Sequence, residues 1–180
     1  MDRIKSFLRF DLIMLLLIIF IPLIFYGKSS LLIIFATVLI VFSRSTALYD
    51  NLKVEFHSVL IIAMSFVYGP GAGIFAAIVS APLVNVVGKW LGCFQKPPWI
   101  LMDTIALSII AYLTIFMPPA HLFEYGLLTI IFFENVIVGT VRILIFNDPF
   151  MRRLMLSVVN IMFNYLILKN FLPQIIAFMR

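Results

Sequence analysis

Long apolar runs alternate with short polar breaks along the whole chain, and the runs exceed what a soluble core uses. Between Val54 and Trp90 the pattern predicts two apolar helices joined by a turn at Gly69-Pro70-Gly71. Glycine accepts the turn conformation, and proline suits the first position of the helix that follows. A transmembrane helix needs roughly 20 apolar residues. On that scale the runs read as Phe10 to Tyr26, Leu31 to Ser43, Glu55 to Tyr68, Gly73 to Trp90, Trp99 to Met117, Leu122 to Phe146 and Met151 to Leu172. The expected fold is therefore all-α, a polytopic transmembrane bundle of seven spans, or six if the short second run is lost. Proline pairs at 97–98 and 118–119 mark helix ends, because each ring removes a backbone donor. Pro173 ends or kinks the last span.

Composition strengthens the membrane assignment. The 180 residues are 64% hydrophobic and 12% charged, with a mean hydropathy of +1.18, whereas soluble domains are about 45–50% apolar and about 25% charged. The spans fill residues 1–180 as a single integral-membrane domain and leave no room for a soluble catalytic one. The net charge of +5 falls in short loops, which points to orientation in the bilayer rather than to nucleic acid. With a cytoplasmic N-terminus, ten cations gather on one side: Arg3, Lys5, Arg9, Arg44, Lys53, Lys89, Lys96, Arg142, Arg152 and Arg153. Only Lys28, Lys169 and Arg180 lie on the other. This asymmetry predicts a multi-pass protein of the plasma membrane with its N-terminus inside. The start, MDRIKSFLRF, resembles a signal peptide, but no small-residue cleavage site follows, so a retained first span is expected. Cys93 is the single cysteine, which excludes a disulfide framework or a thiolate metal site within one chain.

Few residues are equipped for chemistry. Gly73, Ala77, Ala81 and Asn85 recur every four residues, a ridge along which a neighbouring helix can approach closely. Pro82 cannot bond back to the carbonyl of Ile78, which leaves an acceptor in mid-membrane. That helix is either a kinked packing element or a pocket wall with Asn85 as a polar contact. Glu134, followed by Asn135, stands near the middle of the sixth span, where a carboxylate costs at least about 2.5–3.5 kcal/mol to insert. It must be protonated, paired or turned to a wet cavity. A hydrogen bond to Asn160 or Asn164 is the structural alternative to a functional role. Ser157, Asn160 and Asn164 form one polar stripe, expected to face inward. Asp103, one turn inside the fifth span, reads as a helix-end carboxylate within reach of headgroup water. Glu55, His57 and Ser58 read as a polar helix start.

Enzyme signatures are absent: there is no HExxH, no GxSxG and no GxxxxGK[ST]. The only route to intramembrane catalysis would join Glu134 to Arg142 or His57. No catalytic residue, metal ligand or cofactor is assigned.

From Val54 onward the order of features resembles the multi-span input region of bacterial HD-type cyclic-dinucleotide phosphodiesterases and diguanylate cyclases. The matching residues are Gly69, Pro70 and Gly73 at the turn, Pro97 and Pro98 in the basic loop, and Asn135 in FFENVIVGTVRI. No output domain follows before Arg180, so this resemblance implies a cytoplasmic signalling partner. The helix-GP-xxG-helix unit is also similar to the substrate-capture subunits of energy-coupling-factor transporters, stand-alone chains of about this size. That resemblance implies a coupling membrane subunit and an ATPase as partners. It would also place the turn on the cytoplasmic side, against the charge count, and Ala81 stands where that family often has an acidic residue.

The sequence thus predicts a prokaryotic, non-enzymatic membrane protein that binds a small ligand within its bundle and acts in uptake or sensing through a partner protein. Asn85, Glu134, Asn135, Asn160 and Asn164 are the expected ligand contacts, drawn from the fourth, sixth and seventh spans. The competing reading is a structural scaffold whose polar residues only hold helices together.

Overall fold

A computed structural model describes residues 20–45, 56–91 and 96–180, with residue 16, and only the backbone of residues 89 and 90. Among the described residues every regular element is a helix. We number them α1 (Phe20–Ser45), α2 (His57–Tyr68), α3 (Pro70–Trp90), α4 (Pro97–Leu113), α5 (Leu122–Ile130), α6 (Val138–Phe146) and α7 (Phe150–Met179). A π-helical segment, Ile131–Ile137, fuses α5 to α6.

The described helices include five stretches long and apolar enough to cross a membrane: Phe20–Ser45, Pro70–Gly88, Pro97–Phe116, Pro119–Phe146 and Phe150–Met179. Their outward residues are large and apolar, among them Leu101, Leu144, Met155 and Phe178, each more than 60% exposed. A hydrocarbon solvent makes such a surface stable.

Two boundaries differ from the sequence reading. The expected break between the first two spans survives only as a 3₁₀ turn, Gly27–Ser29, inside one helical stretch. Gly27 supplies it with φ of 51°, a conformation that costs other residues a Cβ clash. Most of the expected first span lies outside the described residues. The expected third span, in turn, is the 12-residue α2. At 1.5 Å per residue it is about 18 Å long, short of a bilayer core of about 30 Å.

Instead, α2 forms the centre of the bundle. All nine residues from His57 to Ser65 are buried, so every face of the helix meets protein, as its lack of a polar face demands. It packs against α1, α3, α4 and α7. Ile61, Ile62 and Met64 form the core with Ile33 and Ile40 of α1, Ala76 and Ala77 of α3, Leu107 and Ile110 of α4, and Leu168 of α7.

Local chemistry sets the joints. Gly69, at φ 88° and ψ 160°, ends α2 in a backbone region nearly reserved for glycine, and Pro70 opens α3 at once. Lys96 is extended, as the residue before a proline prefers, and Pro97 and Pro98 start α4. Asn147 closes α6 in the left-handed conformation, and Pro149 caps α7. Gly73 lies where α2, α3 and α4 meet. A Cβ there would collide with the Ser65 hydroxyl and would stand 2.9 Å from Ala111 Cβ and 3.2 Å from the Ile61 carbonyl.

Candidate functional site

The polar residues separate into an interior network and an open groove. The network begins in the π-helical turn. There Glu134 is 9% exposed, and its Oε1 accepts a hydrogen bond from the Ser58 hydroxyl of α2 at 2.5 Å. Asn135, one residue on, donates from Nδ2 to Asn160 Oδ1 on α7 at 2.9 Å and to the Ile130 carbonyl at 3.4 Å. In a regular α-helix, consecutive residues point about 100° apart. Within this π-helical turn Glu134 points to α2 while Asn135 points to α7, and such turns recur at functional sites. Asn160 and Asn164 are buried, as the stripe predicts, and Asn164 donates to the Asn160 carbonyl at 3.0 Å. Glu134 meets the Ser58 hydroxyl, and Asn135 reaches Asn160.

Toward the chain end where α4 and α7 begin, the network becomes ionic. Arg142 binds both carboxylate oxygens of Asp103 at 3.0 Å, and its guanidinium lies 4.8 Å from the Trp99 ring centroid. Asp103 is 5% exposed and Arg142 also 5%. The expectation of a carboxylate wetted by headgroup water is thus corrected: a fork-shaped cation on α6 takes the place of water. Arg153 donates to the Glu134 carbonyl at 3.4 Å and packs over Gly139, whose missing side chain leaves it room. His57 is likewise buried, with Nδ1 3.5 Å from the Ser43 hydroxyl.

Arg44 is fully buried between α3 and α4. Its Nη1 donates to Ser80 Oγ at 2.7 Å and the Ala77 carbonyl at 3.4 Å, and its Nη2 to Thr104 Oγ1 at 3.1 Å and the Ile100 carbonyl at 3.3 Å. One side chain from α1 thereby braces two other helices. The charge count set Arg44, Arg142 and Arg153 on one membrane face, and the structure buries all three. A signal was present in two of them. Arg44 continues the buried stripe Ile33, Thr37, Ile40 of α1, and Arg153 lies seven residues before Asn160 on the buried face of α7.

The groove runs between α3 and α4, with a volume of about 750 Å³, within the range of ligand sites. Ile74, Ile78, Ala81, Pro82 and Asn85 form one wall, and α4 forms the other from Pro97 to Tyr112. Its lining is mostly apolar, and two of its hydroxyls are already used: Thr104 bonds the Ile100 carbonyl at 2.7 Å and Ser108 the Thr104 carbonyl at 2.8 Å. Asn85 Oδ1 is different, since it is buried without a hydrogen-bond partner. Ile78, Pro82 and Asn85, the three residues picked out as a pocket wall, do line one groove. Glu134, Asn135, Asn160 and Asn164 do not line it, so the five expected contacts fall in two places. The wall opposite Asn85 is α4, the fifth expected span, and not the sixth or seventh.

No three His, Cys, Asp or Glu side chains gather as a metal site among the described residues. The described residues form a helical bundle with five membrane-length helices, a buried polar network and an apolar groove. Compared with family models, with curated proteins and with solved structures, the chain matches none.

Proposed function

We propose that this chain is a non-enzymatic, multi-pass protein of the plasma membrane that captures a small ligand in the α3–α4 groove. It passes the bound state to a partner protein, for uptake or for sensing. The observation that carries this reading is the buried, unpartnered Asn85 Oδ1 in an otherwise apolar groove of about 750 Å³. An acceptor in hydrocarbon without a donor is costly, and a ligand bearing an N–H or O–H would satisfy it.

Native mass spectrometry of protein purified from its own membranes tests the reading. The wild type is expected to carry one small molecule that Ala81→Phe, which fills the groove, no longer retains. Equal loading of the two proteins, or none in either, refutes capture in this groove.

A second reading rests on a separate observation. Ser58 with Glu134, and Asn135 with Asn160, satisfy one another across three helices, as the glue of a membrane scaffold would. On this reading the four interior residues hold the bundle together and Asn85 alone faces the ligand.

A further inference from the structure

We infer that the groove's ligand is a single-chain membrane amphiphile whose head carries both a negative charge and a hydroxyl. This inference rests on the capture reading above and names its ligand class. The α4 wall extends from Pro97 to Tyr112, which at 1.5 Å per residue is about 22 Å. The facing α3 wall, from Ile74 to Asn85, is about 17 Å on the same rise, so the groove is elongated like an acyl chain laid along the helices. It also exceeds the half-thickness of a hydrocarbon core, about 15 Å, so a chain bound along it is drawn out of the ordinary packing of one leaflet.

The two ends differ in chemistry. Asn85 lies five residues before the end of α3, and Pro97 begins α4, so both belong to the same mouth. Lys96 precedes Pro97 there, exposed, with its ammonium 5.2 Å from the Trp99 ring centroid. An ammonium and an aromatic ring beside a polar mouth suit the depth at which lipid heads reside. The cation selects an anionic head. The unpartnered Asn85 Oδ1, an acceptor, selects a head that also donates a hydrogen bond. Toward Tyr112 the wall is isoleucine, from Ile74, Ile105 and Ile109, which offers a tail only dispersion and exclusion from other contacts. Arg44 holds α3 and α4 from behind through Ser80 and Thr104, and Pro82 with Ala81 keeps the α3 wall shallow.

The probe is lysophosphatidylglycerol, which has one acyl chain, a phosphate and free hydroxyls. It is titrated into protein held in nanodiscs of zwitterionic two-chain lipid and counted by native mass spectrometry. Lysophosphatidylcholine of the same chain length and two-chain phosphatidylglycerol serve as competitors. The expected result is one saturable lysophosphatidylglycerol per protein, displaced by neither competitor at equal concentration. Lys96→Gln is expected to weaken it about fivefold, and Asn85→Ala about fivefold to tenfold. Ala81→Phe should abolish it. Ile105→Trp, at a residue 52% exposed to the outside, should also abolish it without burdening the core, so a fault in folding is told apart from a filled groove. Saturable binding of a competitor in preference to the probe overturns the ligand class and leaves the groove standing as a capture site. Unsaturable association that the groove-filling variants do not change is bulk bilayer lipid only, and overturns the ligand class and the capture reading together.

Discussion

The interior network and the groove contain the same kinds of side chain in different settings. Inside, Glu134 is met by a hydroxyl from α2, Asn135 by an amide from α7, and Asp103 by a guanidinium from α6. In the groove, Asn85 is an amide whose oxygen has no partner, among residues whose own hydroxyls are turned back to the backbone. Polar groups in a bilayer must be satisfied. In the network most are met by side chains of other helices, although Asn164 Oδ1 is buried there without a hydrogen-bond partner too; Asn85 differs in lining a groove.

This contrast is sharpened first at the ion pair, where the largest effect is expected. Asp103→Ala should destabilise the bundle by about 3–5 kcal/mol, because it takes the carboxylate away from the buried Arg142 guanidinium. Replacing both partners, Asp103→Leu with Arg142→Met, should cost much less. Unfolding titrations in detergent measure both, and equal costs would mean that the pair is not buried in solution.

Next is Gly73→Ala, which puts a methyl into the closest helix crossing, with a cost of about 1–3 kcal/mol or more. Adding Ser65→Ala should recover only part of it, because the Ala111 methyl and the Ile61 carbonyl still stand close. Full recovery would place the crossing elsewhere.

Smaller again is Ser58→Ala, expected to cost about 1 kcal/mol by removing one hydrogen bond to the Glu134 carboxyl. Glu134→Gln should be milder, since an amide oxygen still accepts from Ser58. If Glu134→Gln proves the more damaging of the two, the carboxyl has work beyond this bond.

The least stability change is expected where the ligand reading is strongest. Asn135→Ala and Asn160→Ala in a double-mutant cycle should show coupling of about 0.6 kcal/mol, typical of interhelical bonds in membranes. Asn85→Ala should shift stability by no more than about 0.5 kcal/mol and yet weaken ligand retention. A stability loss at Asn85 like that at Asn160 would erase the distinction between the two regions.

Periodicity explains why the distinction was hidden in the sequence. Gly73, Ala77, Ala81 and Asn85 look like one ridge, but at 3.6 residues per turn a four-residue repeat drifts by about 40° each step. The ridge starts in the helix crossing at Gly73, is fully buried at Ala77 and has turned into the groove by Ala81 and Asn85. Asn85 was therefore grouped with Glu134 and the α7 asparagines on the strength of being polar, which says nothing of direction. Arg44, Arg142 and Arg153 read as orientation-setting cations for a similar reason. A cation near the end of an apolar run reads equally as a loop anchor or as a buried ion, and only its neighbours on other helices separate the two.

The residues alone determined that this chain belongs among helices in a bilayer, where the proline and glycine joints fall, and that Asn160 and Asn164 face inward. These follow from hydropathy, backbone conformation and spacing, which are properties of a segment. Only the tertiary structure decided that the 12-residue α2 is a core and not a span, that Asp103 binds Arg142, and that Asn85 opens to a groove while Glu134 does not. Those outcomes depend on which side chain a second helix brings within 3 Å, and no single helix carries that information.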